Sequence, residues 1–255
     1  MSAPRLYLDA DFTAAARVAL DEAQSRYLLQ VMRLRAGAGV RVFNGRDGEW
    51  DAAMEVAGKR GAALALGAQT RTQAASPDLW LLFSPLKRQA TDWLVEKATE
   101  LGAAVLQPVI LKRTVGETVR TERLAAIARE AAEQSERLDL PMVRVAAPLA
   151  RALEGWDADR PLLYADEAGE EGGKPWGGQA GRAAPLLDAL AALQGAKRLA
   201  LLIGPEGGFD PAERTNLRGL SFVRPVSLGP RILRAETAAA AALAVIQAAW
   251  GDWRA

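Results

Sequence analysis

Two glycine-bearing turns near the C-terminus hold the residue types best suited to gripping a small molecule. One runs Leu201-Leu202-Ile203-Gly204-Pro205-Glu206-Gly207-Gly208-Phe209; the other runs Leu228-Gly229-Pro230-Arg231-Ile232-Leu233-Arg234-Ala235-Glu236-Thr237. Each sets a Gly-Pro turn beside an apolar stretch, which leaves main-chain amides and carbonyls free to line one pocket from two sides. In the first, a buried strand ends at Gly204, Pro205 fixes the bend, and Gly207-Gly208 permits a positive φ or the close approach of a ligand. Asp210-Pro211 then reads as a helix start, Asp at the cap and Pro at the first position. A tight strand-to-helix turn with no ligand has the same residues. The segment lacks the Lys-Ser/Thr pair of a P-loop and the GxGxxG spacing of a dinucleotide fold. In the second turn Arg231 and Arg234 are three apart, the spacing of one helix face. They could hold a phosphate, stabilise a developing negative charge, or form surface ion pairs.

Composition removes several chemistries. The 255 residues contain no Cys and no His. That excludes disulfides, thiolate zinc sites, Cys or Ser–His–Asp nucleophiles and any histidine base. Carboxylates, Arg, Lys, hydroxyls and backbone groups remain, and no carboxylate cluster suggests a metal site, so none is expected. Half the residues are apolar, a quarter are charged and the net charge is +1, which fits a folded globular chain with no bulk electrostatic bias. Arginine outnumbers lysine by 26 to 6; this favours planar phosphate contacts, and genome composition or heat adaptation gives the same bias. Arg5, Asp9, Asp11 and Arg17 interrupt the first twenty residues, and no run is long enough to span a bilayer. A cytoplasmic location with no membrane partner is the expectation.

The elements that must position these turns fall into two rhythms. Residues 1 to about 70 read as a small, mostly β unit: strands at Arg5–Leu8, Gly39–Gly45, Trp50–Val56 and Ala62–Leu66, with a helix over Ser25–Leu34. Its basic residues Arg33, Arg35, Arg41, Arg46, Lys59 and Arg60 make either a solvated surface or an RNA-docking face. After a polar stretch, Thr70–Pro77, strands and helices alternate: strands at Leu79–Phe83, Val105–Leu111, Pro161–Ala165, Arg198–Ile203 and Phe222–Val226, helices at Lys87–Leu101, Thr121–Leu138 and 234–248. That pattern is α/β with a mainly parallel sheet. Residues 168–181, rich in glycine, read as an exposed loop. Glu130, Gln134 and Arg137 fall on one face of the second helix, either simply wet or available to a base or phosphate.

Six segments together carry a family resemblance. They are Val31-Met32-Arg33-Leu34-Arg35-Ala36-Gly37 with Phe43-Asn44-Gly45, Lys97-Ala98-Thr99-Glu100-Leu101-Gly102, Glu133-Gln134-Ser135-Glu136-Arg137, and the two Gly-Pro turns. In order and approximate spacing they resemble the ribosomal RNA small subunit methyltransferase E family, over most of the chain. Tyr27 stands where that family often has His, which argues against a catalytic role at this position, and Arg113-Thr114 stands where it often has Arg-Ser.

The resemblance implies a SPOUT-type methyltransferase domain with a deep trefoil knot over residues 72–255 and a PUA-like β-barrel RNA-binding domain over residues 1–71. It implies transfer of a methyl group from S-adenosylmethionine to N3 of a uridine in 16S rRNA of the small ribosomal subunit, by a homodimer. Its cofactor loops map onto Leu202, Ile203, Gly204, Pro205, Glu206, Gly207 and Gly208, onto Ser227, Leu228, Gly229, Ile232 and Leu233, and near Leu163–Glu167. Arg231 or Arg234 is then expected to stabilise the uridine anion, and Arg33, Arg35, Arg113, Gln134 and Arg137 to contact RNA. Such a reaction needs no metal and no covalent intermediate; orientation supplies most of the catalysis. Rival readings are another SPOUT enzyme, acting on ribose 2'-O or tRNA, and a non-catalytic RNA-binding assembly factor.

Overall fold

The computed structural model describes residues 3–57, 61–115 and 119–254; Lys59 and Arg60 lie outside them. The chain forms two compact units, one of Met1–Ala75 with Ala132–Leu140 and one of Ser76–Ala131 with Pro141–Ala255.

The first unit contains β1 (Arg5–Tyr7), β2 (Arg17–Ala19), α1 (Glu22–Arg26), β3 (Gly39–Phe43), β4 (Glu49–Ala57) and β5 (Gly61–Arg71). These strands form one sheet in the order β1-β3-β4-β5-β2, antiparallel except for β1 on β3. Leu6, Leu28, Val42, Met54 and Leu64 fill its core. The Ala- and Gly-rich segments become the two longest strands, because ladder pairing and a buried face override weak intrinsic preference. The helix begins earlier than Ser25. Asp21 and Gln24 form a reciprocal capping box, and the helix continues as a π turn over Tyr27–Val31.

The segment Ala132–Leu140 is the C-terminal end of α3 (Thr121–Gln134) and the turn after it. In the first unit Phe43 packs with Ala132 and Leu138. Arg5 donates to the carbonyls of Ala132, Glu133 and Arg137 at 3.1, 3.1 and 2.9 Å, satisfying acceptors that the end of a helix leaves open. The helix stops at Gln134, four residues before the expected Leu138, and Glu136 takes a φ of +60°. Arg137 therefore does not share a helix face with Glu130 and Gln134. It is 9% exposed, with its guanidinium on Asp139 at 2.9 Å.

The second unit contains β6 (Asp78–Phe83), α2 (Arg88–Glu100), β7 (Val105–Ile110), the body of α3, β8 (Met142–Val143), β9 (Ala147–Pro148), α4 (Leu149–Ala152), β10 (Leu162–Ala165), β11 (Ala184–Pro185), α5 (Leu186–Ala191), β12 (Arg198–Ile203), α6 (Pro211–Arg218), β13 (Val223–Ser227) and α7 (Ala235–Ala249). The main sheet runs β11-β13-β10-β12-β6-β7-β8, and every pairing in it is parallel. Period two along the strands feeds two cores. Leu199, Leu201 and Ile203 join residues of α2, α5 and α7 on one face; Ala200, Leu202 and Tyr164 join Leu149 and Leu217 of α4 and α6 on the other. Helices on both faces explain the unbroken apolar strands.

Glu49 is the electrostatic centre of the first unit. Its side chain is 3% exposed and accepts from Arg5 Nε at 2.7 Å, Arg41 Nη1 at 2.9 Å and Thr70 Oγ1 at 3.0 Å. Burial pushes the Glu49 carboxyl up, but the hydrogen bonds from Arg5, Arg41 and Thr70 outweigh it and hold the group below 4.5. Its stabilising contribution is therefore complete above 4.5 and disappears as pH falls through the lowered folded value. Replacing Glu49 with Gln should cost about 3 kcal/mol at neutral pH, because Arg5 stays buried without a counter-charge. Chemical denaturation of both proteins at neutral and acid pH checks this: the difference should shrink at acid pH.

Candidate active site

The carboxyl ends of β12, β10 and β13 lie side by side. Leu163 of β10 is opposite Leu201 on one side and Arg224 on the other, and Tyr164 is opposite Leu202 and Pro225. Each strand then gives way to a different loop. After β12, Gly208 N–H donates to the Pro205 carbonyl at 2.9 Å and Gly208 has a φ of +68°. Asp210 caps α6 in a reciprocal pair with Glu213, with Pro211 in the first turn, as expected from sequence. After β10 come Asp166 and Glu167. After β13, Gly229 takes a φ of +102°, and the chain stays non-helical until Arg234 caps α7. Arg231 and Arg234 therefore do not share a helix face, contrary to the spacing argument; Arg234 is the N-cap residue and Arg231 precedes the helix.

These loops enclose a cavity of about 390 Å³. The first turn contributes Ile203, Gly204, Pro205, Glu206, Gly208 and Phe209; the second contributes Ile232, Leu233 and Arg234, with Ala235 and Ala238 of α7. Ala165, Glu167, Lys87 and Trp176 complete the wall. An adjoining recess of about 40 Å³ is lined by Leu228, Gly229 and Arg231, and shares Ala165, Glu167, Leu233 and Ala238 with the main space. Three expected residues turn elsewhere. Leu202 points into the opposite core, Gly207 accepts at its carbonyl from Arg113 Nη1 at 3.0 Å, and the Ser227 hydroxyl turns back to the Gly229 amide at 3.3 Å.

Two adjacent carboxylates after β10 have opposite surroundings. Asp166 is 2% exposed and receives Arg214 and Arg218, at 2.9 and 2.7 Å. The two arginines are four apart on α6 and so share a face. Glu167 lines the cavity; burial pushes its carboxyl above the ordinary 4.5, with Asp166 adding to the rise and Arg214 and Arg182 opposing it. Arg214 also donates to the Ala168 carbonyl and Arg218 to that of Gly181, so the same arginines tie down the loop that carries Trp176. Trp176 was missed from sequence because it sits in the glycine-rich 168–181 stretch. The one signal was a large aromatic in a segment otherwise built of small and charged residues. Lys87 was missed because it read only as a helix start.

Of the expected RNA contacts, Arg33, Arg35, Arg113 and Gln134 are exposed and Arg137 is buried. In the first unit Gln134 lines a polar cavity of about 480 Å³ with Tyr27, Arg41 and Arg71. Among the described residues no cluster of acidic side chains could hold a metal ion.

A nucleoside-sized cavity at the carboxyl ends of parallel strands, part apolar and part polar, with main-chain turns for walls, defines a cofactor-binding α/β enzyme domain. The family model described as an RNA methyltransferase domain matches residues 74–247, and one described as an RNA methyltransferase PUA domain matches residues 20–66. Ribosomal RNA small subunit methyltransferase E of Rickettsia conorii is 30% identical over 95% of this chain and 94% of its own. The protein of the same name from Synechocystis is 33% identical over 96% of this chain and 77% of its own. The crystal structure of ribosomal RNA small subunit methyltransferase E from Neisseria gonorrhoeae, bound to S-adenosyl methionine, is 27% identical, with a TM-score of 0.84 over 99% of this chain and 100% of that one. The chain belongs to the ribosomal RNA small subunit methyltransferase E family.

Gly204 is the tightest point of the wall. A Cβ there would sit 2.4 Å from the Phe209 ring, which is itself edge-on to the fully buried Tyr164 at 4.6 Å. To admit it the ring must leave its contact with Tyr164 and move into the cavity that it lines. Gly204→Ala should lower stability by about 2 kcal/mol. A fall in the thermal midpoint checks this, and Gly207→Ala, whose Cβ meets nothing closer than 3.6 Å, should show a smaller one.

Proposed function

We propose that this protein transfers a methyl group from S-adenosylmethionine to N3 of a uridine in 16S rRNA of the small ribosomal subunit. The observation that carries the reading is the cavity between the two Gly-Pro turns, in a chain of this family. The lining suits the cofactor. Ile232, Leu233, Ala235 and Ala238 offer an apolar wall for an adenine ring, the Gly204–Gly208 main chain offers amides and carbonyls, and Glu167 offers a carboxylate for a cationic or hydroxyl-bearing end. When bound, S-adenosylmethionine supplies a methyl group activated on a sulfonium.

The chain's own residues do the rest. The walls hold the donor and exclude water from it, which makes orientation the main catalytic device. Arg234 on the main cavity, with Arg231 beside the recess, stabilises negative charge spread over the uracil carbonyls once N3 loses its proton. Arg33, Arg35, Arg113 and Gln134 contact RNA, while Arg137 acts indirectly by ordering the turn after α3 through Asp139. The reading treats residues 1–71 as the RNA-binding domain and 72–255 as the methyltransferase domain, and it carries with it a homodimer, a cytoplasmic enzyme and a deep trefoil knot. The order β12-β10-β13, followed by the return of α7 to α2 and β12, favours the knot. Among the described residues no helix is long and apolar enough to cross a membrane.

Incubation with unmodified small subunits and S-adenosylmethionine, followed by nucleoside mass mapping, tests the assignment. It should yield one 3-methyluridine in 16S rRNA; a 2'-O-methylated ribose, a methylated tRNA or no methylated product would overturn it.

Glu167 gives a second test. If its ionised form holds the cofactor, affinity should fall as pH drops toward its raised value, starting above 4.5. Calorimetric titration from pH 7 downward should show that decline setting in before pH 4.5 is reached. Glu167→Gln should bind about tenfold more weakly at pH 7 and lose the pH dependence.

A further inference from the structure

A second and more open compartment of about 550 Å³ adjoins the cofactor-sized cavity. Lys87, Glu206 and Arg234 line both spaces, so the two meet at those side chains. Three side chains of the outer compartment, Trp93, Glu236 and Lys87, have no part in the reading above, and Arg234 joins them there. Trp93, on α2, is 40% exposed and lines it. Glu236, in the first turn of α7, lines it too, and its Oε2 atom is buried with no hydrogen-bond partner among the described residues. Lys87 and Arg234 bring two cations whose side chains make no ion pair among the described residues. A buried carboxylate oxygen with no donor is costly and is seldom kept without a purpose. The same carboxylate belongs to a side chain that lines a space with an aromatic face and two positive charges.

We propose that this outer compartment receives the target uracil, stacked on Trp93, and that Glu236 is the base that takes the N3 proton; this rests on the uridine-N3 reading. The chemistry matches the groups. An unstacked base needs an aromatic partner to replace its lost neighbours. Its N3–H is a donor, and the Glu236 carboxylate, which lines this space and makes no hydrogen bond or ion pair among the described residues, can accept it through the oxygen that faces the compartment. As the proton leaves, charge spreads to O2 and O4, where Lys87 and Arg234 stabilise it. The N3–methyl bond then forms as the donor's sulfur–methyl bond breaks, the donor departs as an uncharged thioether, and the proton passes from Glu236 to solvent.

The test uses the full chain. First, uridine monophosphate is titrated without cofactor and tryptophan fluorescence is read, with Trp93→Phe as the control that assigns the signal. Saturable quenching is expected in the parent protein and should be absent in the control; no quenching, or equal quenching in the control, overturns the compartment assignment. Second, methyl transfer to unmodified small subunits is measured together with calorimetric cofactor affinity. Glu236→Gln should lower kcat by about 100-fold with cofactor affinity unchanged, and Glu236→Asp should recover part of it. Trp93→Ala should raise KM roughly tenfold, with Trp93→Phe close to the parent. Retained kcat in Glu236→Gln, or joint loss of kcat and cofactor affinity, would overturn the base assignment. Conversion to a monomer in Trp93→Ala on sedimentation would assign that face to a second copy of the chain and overturn the stacking role. Absence of 3-methyluridine with the parent protein would instead refute the underlying reading, while the nucleotide titration still decides whether a pyrimidine enters here.

Discussion

The hydrogen-bond register among β12, β10 and β13 is the constraint on which the site depends. With β10 paired in parallel to both neighbours, Ile203, Ala165 and Ser227 end their strands within about one residue of the same level. Everything that follows those residues must emerge on one edge of the sheet. The first Gly-Pro turn, the Asp166-Glu167 pair and the second Gly-Pro turn are thus brought together from positions up to some sixty residues apart by backbone pairing alone. A one-residue slip of β10 would turn Tyr164 out of its core and send Glu167 elsewhere.

On that edge, rigid and responsive parts are neighbouring residues. Asp166 is fully engaged by two arginines on one face of α6, and these also bind the main chain of the loop bearing Trp176. Glu167 is largely buried without such pairing among the described residues and lines the cavity. Phe209 lines the cavity edge-on to the buried Tyr164, and its tight approach to Gly204 leaves no room for a side chain on the wall. The small residues of α7 work in the same direction: Ala235 and Ala238 let the helix come close without filling the cavity.

Much of this was legible in sequence where local rules decide. The strand Arg198–Ile203 was read to the residue because an apolar run stops at a Gly-Pro bend, and the start of α6 because Asp210 and Pro211 are a cap and a first-turn residue. The two Gly-Pro turns themselves are marked by glycines at positions that do adopt positive φ, Gly208 and Gly229. What could not be read was set by distant partners. Three residues of β2 are a strand only because β5 pairs with them. The end of α3 is fixed by Glu136 at positive φ and by Arg5, more than a hundred residues away in sequence, and this removed Arg137 from the surface. That β10 would insert between β12 and β13 has no local signal, so neither the depth of the cavity nor the presence of Lys87 and Trp176 in its wall could be read from spacing.

A crystal structure of the full chain with S-adenosylmethionine is the most direct measurement. The donor should occupy the space between residues 203–209 and 228–235, its adenine against Ile232 and Leu233 and a polar end within hydrogen-bonding distance of Glu167. A donor bound elsewhere on the molecule, or a saturated crystal in which Trp176 and Ile232 fill that space instead, would contradict the account.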